Sequence, residues 1–181
     1  PYYVREIKKG QDAEEMENSS FSPRIMIANA GSSRAANRVA LGLLGVWREQ
    51  GYKPVAYSAG PTYDFHHALR LASGHEAYTL DSYFHKSDQL SYLLTRYSES
   101  SRISLIHARS NYFDTLSPLQ SSWSEEQRVP QGSPADLARA SKTPVILVID
   151  AREFRFTNLS YLKGLLDFRE HEVVAGLILA G

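Results

Sequence analysis

Residues 24–50 read RIMIANAGSSRAANRVALGLLGVWREQ. Residues 24–28 form a short apolar run, which is typical of a strand buried in a parallel sheet. Residues 29–33 are small or polar, as in a loop. Apolar residues then recur at helical spacing over 35–50, and Gly51 ends the helix. The stretch therefore predicts a strand, a loop and a helix, with the loop at the helix N-terminus.

The remaining apolar segments continue this alternation. Strands are predicted at 53–57, 102–106, 144–149 and 173–179, and helices at 82–96, 136–141 and 161–167. The side chains expected to face the core are Val39, Leu43, Val46 and Trp47 in the first helix, and Tyr83, Leu90, Leu93 and Leu94 in the second. The alternation predicts a doubly wound, mostly parallel α/β sheet covered by helices on both faces.

Two segments fall outside this pattern. Residues 1–22 are polar and charged without apolar periodicity, so they are predicted to be an extension, and 23–181 to be the domain. Residues 116–134 form a loop rich in Ser, Pro and Gln, which is longer than a connector needs and is therefore either functional or partly ordered.

The composition of the 181 residues excludes several classes of function. Lys plus Arg and Asp plus Glu number 20 each, so the chain lacks the basic surplus of a general nucleic-acid binder. It contains no Cys, which excludes disulfides and thiolate metal sites. No apolar run approaches the length of a membrane span, which is about 20 residues. We therefore expect a cytoplasmic protein that binds neither nucleic acid nor membrane.

The first loop has the setting of a phosphate-binding loop, because backbone N–H groups and a helix N-terminus would face an anion there. A nucleotide loop of the pattern GxxxxGK[ST] also needs a Lys for the phosphates and a hydroxyl for Mg²⁺. The chain has Ala30-Gly31-Ser32-Ser33-Arg34-Ala35-Ala36-Asn37 instead. Taken alone, this stretch favours a plain turn between a strand and a helix.

Residues 60–84 carry a more specific pattern. Gly60-Pro61, Tyr63, Gly74 and Leu80-Asp81 match, without a gap, the motif GPDYIDPxFHxxxTGxxxxNLDxWM of cobyrinic acid a,c-diamide synthase, with Tyr83 in place of Trp. The match extends to 40–44 and 132–151. The chain thus resembles the synthase part of that family over 23–181, without its glutaminase domain.

The resemblance implies a P-loop NTPase-like, three-layer α/β/α fold related to dethiobiotin synthetase. It also implies an ATP- and Mg²⁺-dependent amidoligase of cobalamin biosynthesis. In that chemistry, a macrocycle carboxylate is phosphorylated and then amidated with ammonia from glutamine.

Many residues that this chemistry needs are replaced. The family's phosphate-binding Lys falls on Ala36, its Mg²⁺-binding hydroxyl on Asn37, and an acidic residue after the third strand on His107. A methyl group offers no cation to a phosphoryl group, and Mg²⁺ prefers oxygen to imidazole. Other replaced family positions are Ser58, Thr62, Phe65, Leu69, Ala108 and Ala180. The loop is therefore interpreted as a degenerate Walker A sequence.

Two sets of candidate site residues follow, and neither includes a catalytic residue or a metal ligand. The remnant of the nucleotide or anion loop consists of Gly31, Ser32, Ser33, Arg34, Asn37 and Arg38. The candidate ligand cleft consists of Thr62, Tyr63, Asp81, His107, Asp114 and Asp150. His107 is expected to be a neutral partner of Asp114 or Asp81, at the C-terminal end of a central strand.

Three functional hypotheses remain open. The first is a pseudoenzyme without ATP or Mg²⁺, acting as a binding, regulatory or assembly domain. It would pair with a second copy or another protein, or take an anion or a tetrapyrrole-like ligand. The second is an active amidoligase that uses Arg34 or Arg38 in a rewired ATP and Mg²⁺ site. The third is a small-anion site at 31–35.

Overall fold

The computed structural model describes residues 23–31, 33–61, 63–98, 103–115, 129–167 and 173–181, without the side chains of Ser33 and Tyr63. The predicted extension at 1–22 and the part of the long loop at 116–128 lie outside the described residues. Among the described residues, no helix is long and apolar enough to cross a membrane.

Strands and helices alternate along the described chain. The strands are β1 (Arg24–Asn29), β2 (Pro54–Ala59), β3 (Ala77–Leu80), β4 (Ile103–Asn111), β5 (Val145–Asp150) and β6 (Val174–Ala180). The helices are α1 (Ser33–Glu49), α2 (Tyr63–Ser73), α3 (Ser87–Ser98), α4 (Pro134–Ala140) and α5 (Asn158–Asp167).

The six strands form one sheet in the order β3-β2-β4-β1-β5-β6, and all five pairings are parallel. An apolar cluster covers each face. Helices α1 and α2 contribute Ala40, Leu44 and Leu69 to one cluster. Helices α3, α4 and α5 contribute to the other. This three-layer α/β/α arrangement confirms the predicted fold class, and it brings the C-terminal ends of all six strands to one edge of the sheet.

The buried face of α1 differs from the prediction. Ala36, Ala40 and Leu44 are fully buried at a spacing of four residues, whereas Val46 is 48% exposed. Val39, Leu43 and Trp47 are only partly buried and pack at the border of the cluster. Small side chains let a helix lie close to a sheet, so the alanines occupy the centre of the face and the larger residues its rim.

The second predicted helix also begins later than expected, at Ser87 rather than Ser82. The Asp81 Oδ1 atom accepts a hydrogen bond from the Tyr83 backbone N–H at 2.8 Å, and this local turn competes with helix formation. Tyr83 is consequently 55% exposed and does not face the core, contrary to the prediction. Leu90 and Leu94 are buried as expected, and Leu93 is half-buried.

Helix α2 and strand β3 lie within 63–80, where no element was predicted. Helix α2 buries Leu69 completely, while Phe65 and Ala72 pack only partly against the core. Strand β3 has four residues. Their short apolar patterns are too weak to identify a helix or a strand by periodicity alone.

Candidate functional site

The connection between β1 and α1 is shorter than a nucleotide-binding loop. In the pattern GxxxxGK[ST], aligned so that its Lys falls on Ala36, the residues between the two glycines belong to the loop. Here α1 already begins at Ser33, so only residues 30–32 separate the strand from the helix. Ala35 and Ala36 are fully buried against the sheet. The helix therefore occupies the part of the sequence that would wrap around phosphates.

The described N–H groups of this short loop bind other parts of the protein. The Ala30 N–H donates to the Val148 carbonyl at 3.1 Å. The Gly31 N–H donates to Asn111 Oδ1 at 3.2 Å, with Gly31 at a φ of 135°, in the region that favours glycine. Asn111 in turn donates from Nδ2 to Asp114 Oδ2 at 2.7 Å. A side-chain amide oxygen thus lies where the loop would offer an N–H to an anion.

His107 lies at the centre of the sheet and is fully buried. Its Nε2 is 2.9 Å from Asn37 Oδ1, and because an amide oxygen only accepts, Nε2 is the donor. The ring also packs on Phe65 at a centroid distance of 4.4 Å. Burial, and secondarily the positive charge of Arg109, lower the pKa of His107 to about 4. His107 is therefore neutral near pH 7.

The predicted partners of His107 are wrong. Asp114 binds the side-chain amide of Asn111, and Asp81 binds the Tyr83 backbone N–H. The imidazole instead bonds Asn37, which extends from helix α1. The prediction failed because it considered only carboxylates near strand ends and not the first turns of α1.

The carboxylate of Asp150, at the end of β5, is 2% exposed and held by two guanidinium groups. Its Oδ1 accepts from the N and Nε of Arg152 at 3.1 and 3.2 Å, and its Oδ2 accepts from the Arg152 guanidinium at 3.0 Å. The Arg38 guanidinium is 3.8 Å from Oδ2. These contacts, the Arg152 hydrogen bond above all, lower the pKa of Asp150. Arg38 is thus directed to Asp150.

The C-terminal ends of β2, β3 and β4 enclose a cleft of about 600 Å³. Tyr83 and Phe84 are 55% and 73% exposed at this cleft, and their rings meet edge to face at a centroid distance of 5.2 Å. Arg109 also lines the cleft and forms an ion pair with Asp64 at the start of α2. The other lining residues are Ala59, Gly60, Pro61, Asp81, Ser110, Thr115 and Gly132.

The structure separates the residues predicted to form one ligand cleft. Asp81 lines the 600 Å³ cleft, whereas Asp150 lines another cavity of about 150 Å³ together with Gly31. His107 is buried, and Asp114 contacts Asn111. Arg34 is exposed on the first turn of α1. Ser32 and Thr62 lie outside the described residues, as do the side chains of Ser33 and Tyr63.

Sequence reasoning missed the residues that form the wall of the cleft. Phe84, Arg109 and Ser110 line it. Asn29 donates a hydrogen bond to the Arg109 carbonyl, and Asn111 accepts one from the Gly31 N–H. Arg109 and Ser110 lie in a strand that was predicted to end at 106. Recognising that β4 continues to Asn111 would have placed them at the sheet edge where ligands bind. Among the described residues, no group of three or more His, Cys, Asp or Glu side chains could hold a metal ion.

Sequence comparison relates this chain to cobyrinate and hydrogenobyrinate a,c-diamide synthases. It is 28% identical over 157 residues to cobyrinate a,c-diamide synthase of Dehalococcoides mccartyi strain CBDB1, covering 87% of this chain. It is 30% identical over 156 residues to hydrogenobyrinate a,c-diamide synthase of Brucella anthropi, covering 86% of this chain. The chain is related to the a,c-diamide synthases. It spans only 32% and 33% of the length of these two relatives. No protein-family model matches the chain.

Structural comparison supports the same fold. The chain superimposes on chloroplast FtsY from Physcomitrella patens with a TM-score of 0.54 at 20% identity, covering 88% of this chain and 50% of that one. For FtsY from Elizabethkingia anophelis in complex with GDP the TM-score is 0.57 at 13% identity, covering 91% and 51%. At these identities the likeness shows a P-loop NTPase-like fold alone. The synthase relatives and the fold together agree with the resemblance seen in the sequence.

Proposed function

We propose that this chain is a noncatalytic relative of the a,c-diamide synthases that acts as a binding, regulatory or assembly domain without ATP or Mg²⁺. The hydrogen bond between His107 and Asn37 carries the proposal. The resemblance aligns these positions with an acidic residue and a Mg²⁺-binding hydroxyl. Here the His107 imidazole is hydrogen-bonded to Asn37 Oδ1, the only side-chain oxygen of these two residues. Neither residue carries a carboxylate. Mg²⁺ prefers oxygen ligands, so the side chains at these two positions are poor ligands for it.

The first loop supports the same conclusion for the phosphates. Ala36 supplies no cation and is fully buried, and α1 begins before the phosphate-wrapping segment would end. The Gly31 N–H already binds Asn111. Since phosphoryl transfer depends on positioned cations and N–H donors, the residues present do not fit ATP with Mg²⁺. The small-anion hypothesis loses support for the same reason.

Asp150 is an acidic residue that lines a cavity together with Gly31 of the loop, and its charge is already compensated. Arg152 and Arg38 face its two oxygens, and Arg152 donates three hydrogen bonds to them. A metal ion would have to displace these guanidinium contacts. The described polar groups around the loop bind one another, which supports a fold that serves binding rather than phosphoryl transfer.

The binding surface in this proposal is the 600 Å³ cleft at the ends of β2, β3 and β4. Its volume suits a small organic molecule or an inserted side chain of a partner. The exposed ring pair of Tyr83 and Phe84 offers apolar area, and Arg109 offers a charged group beside it. An anion, a tetrapyrrole-like compound and a protein partner, including a second copy, remain candidate occupants.

Isothermal titration calorimetry with MgATP tests this proposal. We expect no binding tighter than about 1 mM, because the cation and the metal ligands are absent from their aligned positions. Titration of ATP in excess EDTA is the control for metal-independent binding. A micromolar dissociation constant that disappears with EDTA would overturn the proposal.

The alternative is an active amidoligase that works as part of a longer protein. The names of the synthase relatives and the exposed position of Arg34 at the start of α1 favour it. This alternative predicts glutamine-dependent release of ADP with a tetrapyrrole acid, strongly reduced by Arg34→Ala and unaffected by Arg48→Ala at the far end of the same helix. Absence of ADP release with glutamine or free ammonia would exclude it.

A further inference from the structure

Asn29 ends β1, and its carboxamide forms an unusual set of hydrogen bonds. The side chain is fully buried. The two hydrogens of its Nδ2 are shared among the carbonyl oxygens of Ala108, Arg109 and Ser110, which lie at 3.0, 2.8 and 3.3 Å from the nitrogen. Three consecutive carbonyls of β4 therefore converge on one side-chain amide. Neither functional set derived from the sequence included Asn29.

The pairing of β1 with β4 explains why these carbonyls need a donor. Ile27 pairs with His107, and Asn29 pairs with Asn111, so two steps along β1 correspond to four along β4. The extra residues form a bulge, and its carbonyls leave the ladder between the two strands. A buried carbonyl without a donor costs free energy, so the Asn29 amide, whose bond to the Ala108 carbonyl is buried, stabilises this local path of the chain.

The bulge changes which residues of β4 face the cleft. His107 and Ala108 are fully buried, whereas the next two residues, Arg109 and Ser110, are exposed and line the cleft. The strand returns to the ladder at Asn111, and the Tyr112 N–H donates to the Asn29 carbonyl at 3.1 Å. Asn29 thus contacts the bulge through its side chain and the following turn through its backbone.

We propose that Asn29 is a positioning residue that sets the wall of the 600 Å³ cleft by holding the β4 bulge, and with it Arg109 and Ser110, in place. The inference rests on the proposed function only in taking this cleft as the binding surface. An amide is required at position 29 because it can donate to carbonyl oxygens. An ionised carboxylate there cannot donate, and its buried negative charge would lie against three carbonyl oxygens.

A spin label tests this role directly, because the chain has no Cys of its own. A nitroxide on Ser110→Cys reports on the bulge, and one on Ser160→Cys, an exposed position of α5, is the control. We expect the label at 110 to become more mobile in the order Asn29, Asn29→Ser, Asn29→Ala, while the label at 160 is unchanged. Asn29→Ser keeps one donor and serves as the milder variant if Asn29→Ala does not fold.

Hydrogen exchange of backbone amides measures how much the Asn29 variants loosen the bulge. Loss of the amide should speed exchange of the Tyr112 N–H about fivefold, the effect of about one lost hydrogen bond on local opening. The Gly60 N–H, bonded to the Leu80 carbonyl on the far side of β2, should not change. Identical spectra at 110 in folded Asn29→Ala or Asn29→Ser would overturn the inference. Neither readout involves nucleotide, so a failed MgATP prediction would leave this result independent.

Discussion

His107 Nε2 lies 2.9 Å from Asn37 Oδ1, which joins two positions that the resemblance assigns to Mg²⁺ binding. Two ligands of one ion must lie close together, so their contact agrees with the alignment. At the same time, the imidazole Nε2 and the amide oxygen bond each other directly, without an ion between them. The two substitutions make physical sense as a pair, because either one alone would leave a buried polar group without this partner.

The buried imidazole predicts a specific dependence of stability on pH. The pKa of His107 is about 4 in the folded protein against 6.5 in the unfolded chain. Below pH 6.5 the unfolded state therefore takes up a proton that the folded state excludes. We expect the free energy of unfolding to fall by about 3 kcal/mol between pH 6.5 and 4 on this account.

Urea denaturation across this pH range measures the effect. His107→Gln should remove this part of the pH dependence, whereas His67→Gln, on the exposed face of α2, should retain it. Equal slopes for the two variants would show that His107 titrates in the folded protein as it does in the unfolded chain.

The buried face of α1 gives a second prediction. Leu44 is fully buried, so Leu44→Ala should cost about 2–5 kcal/mol through lost apolar burial and the cavity left behind. Val46, which the sequence pattern placed in the core, is 48% exposed, and Val46→Ala should cost less than about 0.5 kcal/mol. Chemical denaturation measures the free energy of unfolding of both variants and shows whether Leu44 or Val46 lies on the buried face of α1. The reverse order would mean that α1 is rotated relative to the structure.

A third prediction concerns the edge of the cleft. Gly132 has a φ of 76°, and a Cβ there would lie 3.3 Å from Tyr83 Cβ. Gly132→Ala should destabilise the protein by about 1–2 kcal/mol through backbone strain and this close contact. Gly42, in α1, has open space around it, and Gly42→Ala should stabilise by about 0.5–1 kcal/mol. Thermal unfolding of the two variants should show shifts of opposite sign, and a shift of the same sign would contradict this account.

The ion pair at the end of β5 gives a fourth prediction. Hydrogen bonds from Arg152 are the main cause of the lowered pKa of Asp150. Arg152→Ala should raise that pKa toward its ordinary value, and Arg155→Ala should have a smaller effect. Titration of the Asp150 carboxyl carbon by NMR measures the change. Because the folded pKa is lowered, the stability that Arg152 contributes is present above the unfolded pKa and disappears as pH falls through the folded one. An unchanged pKa in Arg152→Ala would contradict the pairing.

Strong local patterns allowed most of the sheet to be predicted. The apolar runs of β1 and β5 and the long helix α1 can be recognised from sequence because burial on a parallel sheet requires continuous apolar segments. Helix α2 and strand β3 could not be recognised, because only Leu69 and Ser73 are fully buried among the described side chains of α2, and β3 has just four residues.

The site was harder to predict than the fold, because its geometry depends on pairing between distant strands. The resemblance identified Ala36, Asn37 and His107 as replaced positions and implies that the last two lie close together, but it did not indicate that they bond each other. The cleft wall depends on a register shift between β1 and β4, which no local pattern indicates. Asn29 therefore read as an ordinary loop residue until the pairing of the strands was known.

An NMR titration with ATP and Mn²⁺, in place of Mg²⁺, tests whether a metal ion and a nucleotide bind at the start of α1. A paramagnetic ion held at the start of α1 would broaden the signals of the Asn37 side-chain amide and the His107 imidazole before all others. We expect no selective broadening at these two residues as Mn²⁺ and ATP are added together. Selective loss of both signals at micromolar Mn²⁺ with ATP, reversed by EDTA, would contradict this expectation.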